Sequence, residues 1–216
     1  MVAGPAGRIE VMLDWPEGVS PVGVAHIAHP HPLYGGSLDN KVVSTLARVF
    51  ATLGWLAVRS NFRGVGATEG QHDDGRGELA DLLHLIGAVP WLQDGASPGR
   101  RPIALAGFSF GSFVVAQAAA QLQQRGAPAR HVILVGAAAG KWPMPDVDPE
   151  ALVVHGELDE TIPLADVFTW ARGCGVPVVV VPGGEHFFHG RLPILKKLVA
   201  RHLLGAEAES QGAGAI

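Results

Sequence analysis

The stretch Ile103-Ala104-Leu105-Ala106-Gly107-Phe108-Ser109-Phe110-Gly111-Ser112 decides the fold. Residues 103–106 form a short apolar run of the kind found in a buried strand, and 112–121 is an Ala-rich helical segment. Between them lies a G-x-S-x-G turn in strand–turn–helix context. A serine on so tight a turn occupies strained backbone, and its neighbours two residues away must be small, a need Gly107 and Gly111 meet. The helix that follows directs its free N–H groups and positive dipole end at Ser109, which makes that serine the candidate nucleophile.

Working outward, strand and helix patterns alternate along the chain. An alternating segment at 8–15 predicts an edge strand, and 22–28 a second strand. The latter runs into His29-Pro30-His31-Pro32-Leu33-Tyr34-Gly35-Gly36, where prolines and glycines exclude regular structure. Helical stripes occupy 39–53, 78–93, 164–172 and 192–204, with Pro90 expected to kink the second. Further strands are predicted at 55–60, 131–135, 151–154 and 177–181. This order argues for one α/β domain over 1–204, with a mainly parallel twisted sheet in three layers and helices on both faces, followed by a flexible tail at 205–216.

In such sheets function collects at the carboxyl ends of the strands. After the strand at 151–154 comes His155-Gly156-Glu157-Leu158-Asp159, and after 177–181 comes Pro182-Gly183-Gly184-Glu185-His186-Phe187-Phe188-His189. A serine hydroxyl needs a base, and the base needs a group to orient it. The succession Ser109, Asp159, His186 supplies nucleophile, acid and base in the chain order of α/β hydrolases.

With His29-Pro30, Gly35-Gly36, Asn40-Lys41, Asn61-Phe62-Arg63-Gly64, the elbow and the two C-terminal loops, the chain resembles the α/β-hydrolase superfamily. More narrowly it is similar to small lidless bacterial hydrolases related to dienelactone hydrolase. The resemblance implies a serine hydrolase acting on ester-like bonds through an acyl-enzyme, with Ser109 where dienelactone hydrolase carries a cysteine. It favours His186 over His189 as base and Asp159 over Glu157 as acid; Asp166 falls in a helical pattern and reads as a surface charge. One oxyanion donor is expected at the Phe110 amide. The other falls on the loop after 22–28: prolines have no N–H, so the resemblance points to the His31 amide, with Leu33 as the alternative.

Only Gly136 to Glu150 separates the strand at 131–135 from the acid-bearing one, too little for a helical cap. An open, shallow cleft edged by Tyr34, Phe110, Trp142 and Phe187 is therefore predicted, with Tyr34, Trp142 and Phe187 as substrate-binding residues. Esters are the leading substrates, with thioesters, lactones or a non-catalytic binding role as the alternatives.

Composition narrows the partners. The chain of 216 residues is 48% hydrophobic and 17% charged with a net charge of −4, so it presents no basic footprint for nucleic acid. No membrane-spanning run is visible, and a lone cysteine, Cys174, fits a reducing cytoplasmic compartment and a small buried position. No cofactor or metal is expected: His26, His29 and His31 alternate along one segment, but no carboxylate or cysteine cluster accompanies them. The polar loop at 61–77 lacks a phosphate-loop Lys-Ser/Thr and is expected to be held by Arg63 and nearby acids such as Asp73 and Asp74. A small-molecule ester is the expected partner; association into a homo-oligomer is left open.

Overall fold

The computed structural model describes residues 1–88 and 101–212. Its first elements form a hairpin, β1 (Val2–Gly4) and β2 (Gly7–Ile9), followed by β3 (Val11–Asp14) and β4 (Val24–Ala28). Then come α1 (Lys41–Thr52), β5 (Leu56–Ser60), α2 (Arg76–Ala88), β6 (Ile103–Phe108) and α3 (Phe110–Gln124). The chain closes with β7 (His131–Val135), β8 (Leu152–Gly156), α4 (Leu164–Cys174), β9 (Val178–Val181) and α5 (Leu192–Gly212).

Seven strands make one sheet in the order β3-β5-β4-β6-β7-β8-β9. Only β3 runs antiparallel, against β5; every other pairing is parallel. Alternation within strands divides the core. Leu105, Val132, Leu134 and Val153 face the side covered by α2, α3 and α4. Ala104, Ala106, Ile133 and Val135 face α1 and α5. A strand buried on both faces must be apolar at every position, which is why 103–108 and 131–135 lack a period-two signal.

Three boundaries differ from the sequence reading. The edge segment 8–15 is divided between the hairpin and β3, because Ile9 pairs with Val2 while Val11 pairs with Ser60. The last helix continues to Gly212, through residues read as a tail. Ala206, Glu207, Ala208, Glu209 and Gln211 are good helix formers, so propensity extends the helix past Gly205. The second helix begins at Arg76, and Val89, Pro90 and Gln93 lie outside the described residues. Cys174 is only half-buried, at the last turn of α4.

Several histidines are enclosed by this core. His26 is 1% exposed, with neither ring nitrogen hydrogen-bonded, and burial depresses its pKa to about 3. His29 is lowered to about 4, again mainly by burial. A histidine folded neutral below its ordinary value of about 6.5 contributes stability that is complete above that pH and is lost as pH falls toward the folded value. The denaturation midpoint should therefore drop between pH 6.5 and 4, by a loss on the order of a few kcal/mol. His26→Leu should flatten that slope in urea titrations; an unchanged slope would remove His26 from the account.

Candidate active site

Ser109 joins β6 to α3 with φ +55° and ψ −124°, backbone that a non-glycine residue seldom adopts. Close packing enforces it. A Cβ on Gly107 would run into the Gly111 carbonyl, and one on Gly111 would meet the Ala28 and His29 carbonyls. The Ser109 amide donates to the Val135 carbonyl at 2.9 Å, pinning the turn to β7. Ser112, wholly buried, donates from Oγ to the Ser109 carbonyl at 2.6 Å and accepts from the Ala138 amide at 3.0 Å. The elbow is thus tied to the loop that carries Trp142.

The loops after β8 and β9 bring Asp159 and His186 to this turn. His186 Nε2 lies 3.0 Å from Ser109 Oγ, and His186 Nδ1 lies 2.7 Å from Asp159 Oδ2. All three residues are buried, with Ser109 retaining 9% exposure. The second oxygen of Asp159 accepts from the amides of Thr161 and Ile162 at 2.9 and 2.8 Å. Burial opposes ionisation of that carboxyl, but the His186 and Ile162 hydrogen bonds outweigh it and hold its pKa below the usual carboxylate value. A carboxylate can only accept, so Nδ1 of His186 carries a ring proton, and in the tautomer protonated there Nε2 turns a lone pair toward Ser109.

The other candidates separate cleanly. His189 is 70% exposed and paired with Glu185 at 2.9 Å, away from Ser109. Glu157 accepts from the Gly183 amide at 2.8 Å. Asp166 sits in the first turn of α4. Leu33, the alternative oxyanion donor, has its amide spent on His31 Nδ1 at 3.2 Å, whereas the His31 amide has no protein acceptor among the described residues. Phe110 opens α3, so its amide has no intrahelical carbonyl to bond.

Phe110 does not edge the cleft as predicted; its ring is 1% exposed and forms a floor. His31 and Trp142 lie on it, at 4.9 Å between centroids in each case, and Trp142 stacks on Phe113 at 5.2 Å. Tyr34 stands 86% exposed beside His31, and Phe187 is 44% exposed beside His186. A cleft of about 300 Å³, not itself lined by Ser109 or His186, opens beside the loop that carries His186, between Gly35, Ser37, Lys41 and Val42 on one wall and Phe187 and His189 on the other. A larger concavity of about 640 Å³ lies at the opposite end of the sheet, around Ala120, Arg130 and Asp148, and none of these reactive groups lines it.

The three histidines of the β4 segment do not converge on a common ligand. His26 is enclosed, His29 donates from Nδ1 to the Pro30 carbonyl at 2.6 Å and accepts the Phe62 amide at Nε2 at 2.9 Å, and His31 lies on the aromatic floor. The polar loop is held by a two-pronged Arg63–Asp81 bridge at 2.9 and 2.8 Å, while Asp73 pairs with Arg76 instead. Glu78, which sequence reasoning passed over, is fully buried and accepts from His72 Nδ1 and the amides of Asp73 and Gly75. His155 was also missed, although its position just before Gly156 and the acid marks it. It is fully buried, with Nε2 2.9 Å from the Ile162 carbonyl.

A mainly parallel sheet with a strained serine elbow, a histidine within reach of it and no helix between β7 and β8 defines an α/β serine hydrolase without a lid. Residues 79–200 match the thioesterase-domain family, and the chain belongs to that family. An α/β serine hydrolase without a lid from Xanthomonas campestris is 34% identical, with a TM-score of 0.81 over 93% of this chain and 90% of that one. An α/β serine hydrolase homologue from Coxiella burnetii is 37% identical, with a TM-score of 0.78 over 94% and 95%. An uncharacterized protein of Rickettsia prowazekii is 28% identical over 93% of this chain and 86% of its own length. Among the described residues no helix is long and apolar enough to cross a membrane.

Proposed function

We propose that this hydrolase cleaves small carboxylic esters through an acyl-enzyme formed on Ser109. The observation that carries the reading is the unbroken hydrogen-bonded line from Asp159 Oδ2 through His186 to Ser109 Oγ, at 2.7 and 3.0 Å. Ser109 Oγ attacks the ester carbon as its proton passes to His186 Nε2, and Asp159 stabilises the imidazolium that forms. The carbonyl oxygen takes up the negative charge against the Phe110 and His31 amides. Collapse breaks the bond to the leaving oxygen, which receives the proton from His186 and departs. Water then repeats the sequence on the acyl-enzyme and releases the acid.

The same chemistry orients the substrate. The leaving group must lie against the group that protonates it, so it occupies the cleft walled by Phe187 and His189. The acyl group then lies over His31 and Trp142, with Tyr34 at the outer edge. An uncovered site of this kind suits small or flexible esters. Thioesters are the second reading, favoured by the family match over 79–200. The lone Cys174 fits action in the cytoplasm.

The test is hydrolysis of nitrophenyl esters of graded acyl length beside the matching thioesters. Oxoesters should turn over faster, and Trp142→Ala should change the chain-length profile. A preference for thioesters would favour the second reading, and an unchanged profile in Trp142→Ala would take that ring out of the acyl site.

A further inference from the structure

The line Ser109–His186–Asp159 does not end at the carboxylate. Asp159 is wholly enclosed on its side chain, and Oδ2, the oxygen that receives His186, also has His155 Nε2 3.4 Å away. His155 is the penultimate residue of β8, four residues before Asp159, and is itself fully buried. Its nearer contact is the Ile162 carbonyl, 2.9 Å from the same Nε2. A carbonyl only accepts, so Nε2 carries the ring proton and aims it at the Ile162 oxygen, with Asp159 Oδ2 beside it at 3.4 Å.

Ile162 thereby serves the acid with both ends of its residue. Its amide donates to Asp159 Oδ1 at 2.8 Å, and its carbonyl is held by His155. His155, Ile162 and Asp159 thus form a hydrogen-bonded chain, from His155 Nε2 to the Ile162 carbonyl and from the Ile162 amide to Asp159 Oδ1. The carboxylate is held on two sides, Oδ1 by the amides of Thr161 and Ile162 and Oδ2 by His186, with the edge of His155 3.4 Å from Oδ2. His155 Nδ1 is buried with no hydrogen-bond partner. The hydrogen bond that this imidazole makes among the described residues is therefore the one from Nε2, and an apolar side chain in its place would release the Ile162 carbonyl beside the acid.

We propose that His155 is a positioning residue for the reaction, holding the Ile162 peptide and the outer edge of Asp159 so that the carboxylate stays aimed at His186 Nδ1. It touches no substrate and exchanges no proton; Nε2 keeps its hydrogen throughout. The proposal rests on the serine-hydrolase reading. Burial, the dominant influence, keeps the His155 ring neutral, so it acts as an oriented dipole and does not compete with His186 as a second cation.

The experiment compares wild type, His155→Leu, His155→Gln and His155→Asn on one nitrophenyl ester. Active serines are counted with a fluorophosphonate, so that kcat is expressed per titrated site. His155→Leu should lower kcat per site by about 10- to 100-fold with KM changed little, as expected for a displaced member of a catalytic line. The Gln amide nitrogen reaches roughly where Nε2 stood and should restore kcat to within several-fold. The shorter Asn amide falls short of the Ile162 carbonyl and should not. A purely structural role would reduce the number of titrated sites and leave kcat per site as in wild type, which would overturn the proposal. If His155→Leu does not fold, the Gln and Asn variants decide on the same criterion, equal kcat per site again overturning it. Failure of wild type to label at Ser109 would instead remove the serine-hydrolase reading, and this one with it.

Discussion

Ser109→Ala should abolish fluorophosphonate labelling and lower ester turnover by about 10⁶-fold, while the protein stays folded. The magnitude follows from the way a nucleophile and its base act as a unit: removing the serine discards the benefit of the histidine as well. Alanine keeps the backbone position, and among the described residues the hydroxyl makes one side-chain hydrogen bond, the 3.0 Å contact to His186. The amides of Ser109 and Ser112 stay bonded, since those bonds involve main chain. Thermal unfolding should therefore move little. Residual turnover reflects whatever stabilisation the Phe110 and His31 amides give to an oxyanion formed by direct attack of water. Labelling that persists in Ser109→Ala would place the nucleophile elsewhere.

The second large effect separates two histidines three residues apart. His186→Ala should lower turnover by several orders of magnitude, because it removes both proton acceptor and proton donor. It also leaves the buried Asp159 carboxylate without its shortest hydrogen bond, so a fall in unfolding temperature should accompany the kinetic loss. His189→Ala should change turnover no more than a few-fold, since its ring is exposed and the carboxylate it pairs with, Glu185, is itself partly in water. Measuring kcat/KM for both variants on the same ester distinguishes the roles, and the reverse ranking would exchange them.

Much of this site was legible before any coordinates. Gly107, Ser109 and Gly111 carry a backbone requirement within five residues, so the elbow declares itself locally. The order Ser109, Asp159, His186 is readable because each residue follows a strand, and the strands follow from apolar runs. Other features have no local signature. That Phe110 is a floor and not a rim depends on the rings of His31 and Trp142, which come from segments more than a hundred residues apart. Glu78 looks like any helical surface acid until the loop at 72–75 folds over it and donates hydrogen bonds to both of its oxygens.

The sequence by itself determined the alternation of strands and helices, the strained turn at Ser109, the succession of reactive residues and the absence of a cap between β7 and β8. These are matters of local propensity, sterics and chain length, and each can be evaluated within a few neighbouring residues. Tertiary structure alone decided which of two histidines reaches Ser109, which amides remain free to meet an oxyanion, and that His155 holds the Ile162 peptide behind Asp159. Those outcomes turn on distances of about 3 Å between segments far apart in the chain, and such distances are set only when the sheet's crossover order brings its carboxyl edges together.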